Sequence, residues 1–511
     1  MFFVINILYC FGLLKRELKI LQLNEYSTIK FIKYKLKPYK CDIFIYLISI
    51  CVLIIWLLVN EMVGEYLIFL LTVIYVIYYL FFIIKNIKNN ICPKYTKRVL
   101  RIFIIYVLLS IMCVFMAPTF NTITITYIIM PIIFEFLTIA SNILIVFFEL
   151  ILCSFYAKNA SKKIEKLEIK KIAITGSYGK TSVKNILTTI LEEKYCVLSS
   201  PKSYNTVNGF SLTIRNNNIS KYDVIIMEMG AKKKGDIKKL CKLFKPQYGI
   251  LTAIEKQHLE TFKNIESIID TKKELQDNLT DDSVMVFNCN NLYVRNLCNE
   301  FKGCSVSVGS IKDGVFDFCA NVINVSIEGC LFDIYKKGEF FCKAKCELIG
   351  YHNIENILLA VAMADELGLS KKQIVSGISK LTPIESRMQP IEISNSNIII
   401  NNGYNSNPSS VKASLNLIRL YNKTKVAIVC GFVEMGNEQY ELNKMLGSQI
   451  AESADIVYVV NKVNRKAILD GLAEGGFKGQ LNIVDKFRDI DFTVFNDSVI
   501  LIENDLPDNY E

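Results

Sequence analysis

The sequence predicts an α-helical membrane domain followed by two α/β domains, and three features carry that expectation. Long apolar stretches crowd the first third of the chain; strand-like runs alternate with helical periods from about Glu168; and a glycine turn joins one such run to a helix. With 511 residues there is room for roughly three domains. The mean hydropathy of +0.31, with 51% hydrophobic residues, is too high for a wholly soluble chain of this size. The excess is local.

Four apolar stretches stand out, at about 43–59, 66–84, 100–117 and 125–153. Each of the first three approaches the ~20 residues that a spanning helix requires. The fourth is longer, carries Pro131, and is expected to tilt or to begin at the interface. Charges between the stretches set a topology. Lys30, Lys33, Lys35, Lys37 and Lys40 precede the first; only Glu61 and Glu65 separate the first from the second. Lys85, Lys88, Lys94, Lys97, Arg98 and Arg101 follow the second, 118–124 is uncharged, and Lys158, Lys162, Lys163 and Lys166 follow the fourth. The positive-inside rule then predicts a multi-pass plasma-membrane protein with both ends in the cytoplasm. Residues Met1–Leu14 read as an interfacial helix rather than a span or a removable signal peptide, with Tyr34 and the lysines at headgroup level. Glu135 and Glu149 lie inside the fourth stretch, spaced to share a helix face; they are candidate functional acids, or, for Glu149, an interfacial group.

The formal net charge of +10 owes much to these flanking lysines. It points to anionic membrane lipid as a partner and not to nucleic acid, since no basic stripe with interleaved aromatics occurs. The sixteen cysteines form no C-x-x-C pair, which favours reduced thiols over a zinc ribbon or disulfide framework.

In the remainder, strands are expected at 171–175, 224–227, 249–253, 284–287, 398–400, 426–430, 456–460 and 499–502. Amphipathic helices are expected at 237–244, 264–278, 353–367 and 409–421. Such alternation implies a mainly parallel sheet. The interval 304–348 suggests a small β-rich insert, and a break near Thr382-Pro383 suggests a second α/β domain. The expected domains are 1–165, 166–383 and 384–511.

The turn Gly176-Ser177-Tyr178-Gly179-Lys180-Thr181-Ser182 leads into a helix-like stretch from Val183 to Leu191. Its N–H groups and the helix N-terminus can cradle a polyphosphate. Lys180 would neutralise the terminal phosphates, and the Thr181 hydroxyl would hold Mg²⁺. Ile174 occupies the position where the longer phosphate-loop pattern needs glycine, so this is the shorter G-x-x-G-K-T form. Glu228 ends one expected strand and His258 follows another; ligands gather at such carboxyl ends. Thr181, Glu228 and His258 can therefore converge on a divalent metal beside a phosphate.

Taken in order, Gly176–Thr181, Glu228-Met-Gly, His258-Leu-Glu, Gly350-Tyr-His-Asn-Ile-Glu-Asn356 and Tyr404-Asn-Ser-Asn-Pro408 resemble the Mur ligase family. They look most like the branch that adds D-alanyl-D-alanine to a muramyl tripeptide. The resemblance covers about 168–511 and implies a central ATPase domain, a Rossmann-like C-terminal domain that closes over it, and an ATP- and Mg²⁺-dependent carboxylate–amine ligase. It implies Thr181, Glu228 and His258 as metal ligands. Lys272 stands where the family has a carbamylated lysine serving a second Mg²⁺. His352 and Asn353 resemble adenine-side residues, and Arg387 resembles an arginine at the domain junction that reaches the nucleotide. Tyr404, Asn405 and Asn407 would meet ATP and the incoming amine, an amino acid or dipeptide. Asn205 and Thr206 would hold the acceptor, a UDP- or lipid-linked muramyl peptide.

Three departures stand beside this. Asn401 and Asn402 replace family acids, one of which orients the nucleotide; Asn443 replaces a histidine; and apolar stretches stand where the family has its UDP-gripping domain. Other readings are a Mur-fold ligase of the poly-γ-glutamate or capsule type, a transport or signalling ATPase, and a nucleotide-binding membrane scaffold without ligase activity.

Overall fold

The computed structural model describes residues 14–35, 93–116, 123–201, 204–257, 259–311, 314–383, 388–393, 395–402 and 407–503. They fall into two compact units, Met1–Leu152 and Cys153–Glu511.

In the first unit, residues 14–23 are helical, followed by α1 (Thr28–Lys35), α2 (Lys97–Met116) and α3 (Ile123–Glu165), which continues into the second unit. Two of the four expected spans, 43–59 and 66–84, lie outside the described residues, as does Met1–Gly12. The stretch 100–117 falls in α2, and 125–153 falls in α3, which runs through Pro131 as one helix. Among the described residues one helical stretch, Phe136–Glu165, is long and apolar enough to cross a membrane. The four-span domain is thus not established. Leu108 on α2 is 60% exposed and Leu150 on α3 63% exposed, so both helices turn large apolar side chains outward.

Two expectations change here. Lys35, read as a headgroup lysine, is buried in an ion pair with Glu17 at 2.7 Å. Glu149 pairs with Arg98 at 3.2 Å and Arg101 at 3.3 Å, which makes it a partner for α2 rather than a free intramembrane acid. The Glu135 side chain lies outside the described residues.

In the second unit the chain alternates strand and helix: β1 (Lys170–Thr175), α4 (Lys180–Leu191), β2 (Val197–Ser199), α5 (Val207–Asn216), β3 (Val224–Glu228), α6 (Asp236–Phe244), β4 (Tyr248–Leu251), α7 (Ile265–Gln276), β5 (Val284–Asn288) and α8 (Leu292–Glu300). The expected β-rich insert is present as β6 (Cys304–Ser310), β7 (Phe318–Ser326), β8 (Gly329–Lys336) and β9 (Glu339–Cys346), followed by α9 (Tyr351–Glu366) and α10 (Lys371–Ser379). These strands form a nine-stranded sheet ordered β2-β3-β1-β4-β5-β6-β7-β8-β9. Pairing is parallel from β2 to β7 and antiparallel across β7-β8-β9.

Alternation along each strand covers both faces of this sheet, as a parallel sheet demands. Ile172, Ile174, Val224 and Ile226 join one core with α4 and α9 residues, while Ala173, Ile225 and Met227 join the other with Phe210, Phe244 and Leu275. The end of α3 belongs to this second core through Ala160 and Ile164. Ser161 donates to the Leu243 carbonyl, Glu165 pairs with Lys245, and the Arg215 guanidinium lies 4.7 Å over the Tyr156 ring.

The rest of the unit builds a second sheet from β10 (Pro390–Glu392), β11 (Ile398–Asn402), β12 (Thr424–Val429), β13 (Ile456–Val460), β14 (Gln480–Val484) and β15 (Ser498–Glu503), with α11 (Pro408–Ile418), α12 (Gln439–Ala451) and α13 (Arg465–Glu474). Its order is β10-β11-β15-β12-β13-β14, parallel except for β10 against β11. The described cysteines of this unit are free thiols, and most are buried.

Candidate active site

Chain order around β1 makes the site. The chain leaves β1 toward β2 and β3 on one side and returns to β4 on the other, so a crevice opens at the carboxyl end of β1. The glycine turn fills it. Gly179 has φ 79° at the start of α4, and Gly176 packs so tightly that a Cβ there would meet Thr252 Oγ1 at 2.0 Å. Glycine is required at both. The first turn of α4 leaves its N–H groups without helical partners, as an anion site needs.

Lys180 curls back over the turn, its Nζ donating to the carbonyls of Gly176 at 2.7 Å and Ser177 at 3.0 Å. Thr181 Oγ1 donates to Glu228 Oε2 at 3.0 Å, and Asn205 Nδ2 reaches Glu228 Oε1 at 3.4 Å. Glu228 is 2% exposed. Lys184, one helical turn beyond Lys180, holds the same carboxylate at 3.5 Å and donates to the Ser200 carbonyl at 2.9 Å. Sequence reasoning passed over Lys184; its i+4 relation to Lys180 was the available signal. Hard oxygen donors at Thr181 and Glu228 suit Mg²⁺. Among the described residues no three His, Cys, Asp or Glu side chains cluster as an ion site.

Lys272 sits on the buried face of α7 and is 5% exposed. Burial, with a smaller repulsion from the Lys180 ammonium, pulls its amine down to about 7. A lysine at that value carries a substantial neutral, nucleophilic fraction near neutrality. Neighbouring Glu274 instead caps α6, accepting from the N–H groups of Gly235 at 2.5 Å and Lys238 at 2.9 Å.

Several expected residues hold the frame. Ser177 is engaged with the Glu255 backbone, donating through Oγ at 3.1 Å and accepting at 3.0 Å. Thr206 is the N-cap of α5, accepting from Gly209 N–H at 3.3 Å, and Asn407 is the N-cap of α11 in a reciprocal pair with Ser410. Both side chains cap their helices. Asn353 donates to the Ile349 carbonyl at 2.9 Å, and burial holds the His352 imidazole down at about 4, hence neutral. Asn402 donates to Glu503 at 2.8 and 3.1 Å, and Ser414 donates to the same carboxylate at 2.7 Å. An acid thus stands beside Asn402 after all, supplied by β15. Ser182 lies half-buried in the first turn of α4. His258, Arg387, Tyr404 and Asn405 lie outside the described residues.

Fold and site define an α/β unit with a short glycine turn of phosphate-loop form at the start of α4. Residues 174–364 match the Mur ligase middle domain. It is 29% identical over 297 residues to the UDP-N-acetylmuramoyl-tripeptide–D-alanyl-D-alanine ligase of Buchnera aphidicola subsp. Baizongia pistaciae. That match takes in 58% of this chain and spans 64% of the relative's length. Among solved structures, MurF from Acinetobacter baumannii superposes with a TM-score of 0.61 at 22% identity, over 68% of this chain and 76% of that one. MurF from Thermotoga maritima in complex with ADP gives 0.60 at 22% identity, over 69% and 80%.

Proposed function

We propose that the chain is an ATP-dependent carboxylate–amine ligase that joins D-alanyl-D-alanine, or a similar amine, to a muramyl-peptide carboxylate in cell-wall synthesis. The observation that carries this is the Thr181–Glu228 pair, held at 3.0 Å beside Lys180 on the phosphate loop of a Mur ligase middle domain. In this reading a substrate carboxylate oxygen attacks the γ-phosphorus of ATP, the bond to the β-phosphate oxygen breaks, and ADP leaves. The amine then attacks the acyl carbon, the C–O bond breaks with its electron pair going to the departing phosphate, and the amine's extra proton leaves with that phosphate, giving an amide. Lys180 swings from the loop carbonyls onto the phosphates and offsets charge during transfer. Mg²⁺, when bound, would add to that offset, with Thr181, Glu228 and His258 as its holders.

Lys272 extends the proposal. Its neutral amine can add to CO₂ and lose a proton, and the resulting carbamate would offer oxygens to a second Mg²⁺. His352, Asn353 and Arg387 fall on the nucleotide side, and Asn205, Tyr404, Asn405 and Asn407 on the acceptor and amine side. Closure of the 384–511 domain about Pro383–Arg387 would keep water from the acyl phosphate.

The N-terminal region is proposed to anchor the enzyme in the plasma membrane by four spans, with the catalytic domains cytoplasmic. Outward apolar side chains on α2 and α3 support it. Such an anchor favours a lipid-linked acceptor, while the relative's name favours a UDP-linked one. Full-length protein in detergent, given ATP, D-alanyl-D-alanine and either acceptor, should show a dipeptide mass gain. Turnover with the UDP-linked acceptor alone removes the lipid-linked version; no gain with any acceptor or amine removes the ligase.

A further inference from the structure

Around the tip of the phosphate loop sits a polar cluster that the proposed chemistry does not use. Glu255, just beyond β4, is fixed through its backbone by Ser177 at 3.0 and 3.1 Å. Its side chain points at α11, where Ser409 Oγ donates to Oε1. The other oxygen, Oε2, is buried and has no protein partner. Burial lifts this carboxyl above its usual range, with the Ser409 hydrogen bonds working against the rise. The Tyr178 hydroxyl, from the loop itself, also meets Ser409; burial first, then the Glu255 and Glu355 carboxylates, push its pKa up. One residue of α11 thus touches both the loop tip and the strand end behind it.

Among the described residues the two parts also meet beyond this point, where Ile349 packs into the second sheet's core. Lys256 and Glu438 pair at 2.7 Å, both substantially exposed, and the Glu260 N–H reaches the Glu434 carbonyl at 3.2 Å. An exposed pair adds little. The part-buried Glu255–Ser409 bond is the stronger tie, because a hydrogen bond to a partly shielded carboxylate is worth more than a neutral one.

We propose that Glu255, Ser409 and Tyr178 form a latch between the phosphate loop and α11, with Glu255 as a positioning residue that sets how firmly the second sheet's domain closes over the nucleotide. The placement explains the arrangement. Any shift of the loop on taking up phosphate moves Ser177 and Tyr178, and both are linked to Ser409 through Glu255 or directly. The latch rests on the ligase reading only for its consequence, which is retention of the acyl phosphate until the amine arrives. The contact itself does not depend on that reading.

The test uses full-length protein in detergent. Backbone hydrogen exchange at 409–412 should quicken about tenfold in Glu255→Ala and in Ser409→Ala, from loss of one hydrogen bond to a carboxylate. The double variant should be no faster than the faster single one, because both remove the same bond. Glu255→Gln retains an acceptor oxygen and should stay within about twofold of the parent. Unchanged exchange in both single variants, or effects that multiply in the double one, overturns the latch. If Glu255→Ala fails to fold, Ser409→Ala alone decides by the same readout. Separately, ATP consumed per amide formed should rise at least roughly threefold in the alanine variants and not in Glu255→Gln. A parent protein that makes no amide overturns the ligase reading and leaves the exchange result to judge the latch.

Discussion

The carboxyl ends of the two sheets make an instructive pair. At the nine-stranded sheet, buried polar groups are charged and tied to one another: Thr181, Lys184 and Asn205 all converge on Glu228, and Lys272 is buried near Lys180. At the six-stranded sheet, the equivalent edge is dominated by side-chain amides that pin backbone. Asn443, fully buried, accepts from Phe432 N–H at 2.7 Å and donates to the Phe432 and Gln439 carbonyls at 3.0 and 2.7 Å. Asn464 donates to the Cys430 and Phe432 carbonyls at 3.1 and 2.9 Å. Parallel topology supplies a crevice in both places; in the second, the buried Glu503 carboxylate at the end of β15 is met by Asn402 and Ser414. A buried charge stays costly unless a ligand or partner answers it, whereas a buried amide that meets its backbone partners is simply scaffold.

The contrast breaks most readily at Lys180. Lys180→Ala should lower ATP-dependent amide formation by about a thousandfold or more, through lost stabilisation of the transferring phosphoryl group. A mass-gain assay reads it, with membrane fractionation as the control that the protein is still made and inserted. Activity within tenfold of the parent would mean the turn is not the phosphate site.

Asn443→Ala should act the opposite way. It costs about 3 kcal/mol of stability in chemical denaturation, since it removes three hydrogen bonds and takes the acceptor from the Phe432 N–H, and leaves the KM for ATP nearly unchanged. A large change in KM with little loss of stability would instead place Asn443 among the ligand-binding residues.

Lys272 sharpens the comparison through pH. Its folded value of about 7 lies below the ordinary lysine value of 10.5, so the unfolded chain binds more protons between those two values. Stability therefore rises with pH across that window, and the cost of burying the amine is fully present below about 7. Lys272→Met should stabilise the protein by on the order of 2 kcal/mol at pH 6, with the gain fading toward pH 10. Thermal unfolding across pH checks this. A gain that does not change with pH would rule out a neutralised amine.

Smaller effects close the series. Thr206→Ala removes the cap of α5 and should cost about 1 kcal/mol. Glu438→Gln, at an exposed pair, should cost less than about 0.5 kcal/mol by the same measurement.

Much of this was legible because it is local. The run Ile172–Ile174 enters a turn whose glycines permit φ that other residues resist, and Gly-Lys-Thr follows at once; strand, loop and helix are written within a dozen residues. The expected strand at 249–253 starts one residue late and runs two residues past the observed end at Leu251, because Thr252 and Ala253 carry no turn signal, yet they bend away to close on Thr175 and Ser177. The resemblance sets Thr206 and Asn407 at the acceptor and amine, and the fold adds that each caps a helix, because only the fold shows which N–H a small polar side chain faces.

The order of apolar and polar residues by itself determined the strand–helix alternation and the phosphate turn, because periodicity and backbone preference act over a few residues. The tertiary structure alone decided that Lys184 joins Glu228, that Lys272 loses its charge near neutrality, that Glu503 answers Asn402, and that Glu255 meets Ser409. Those outcomes depend on burial and on groups up to 154 positions apart, and water exclusion is a property of the packed whole, not of any segment.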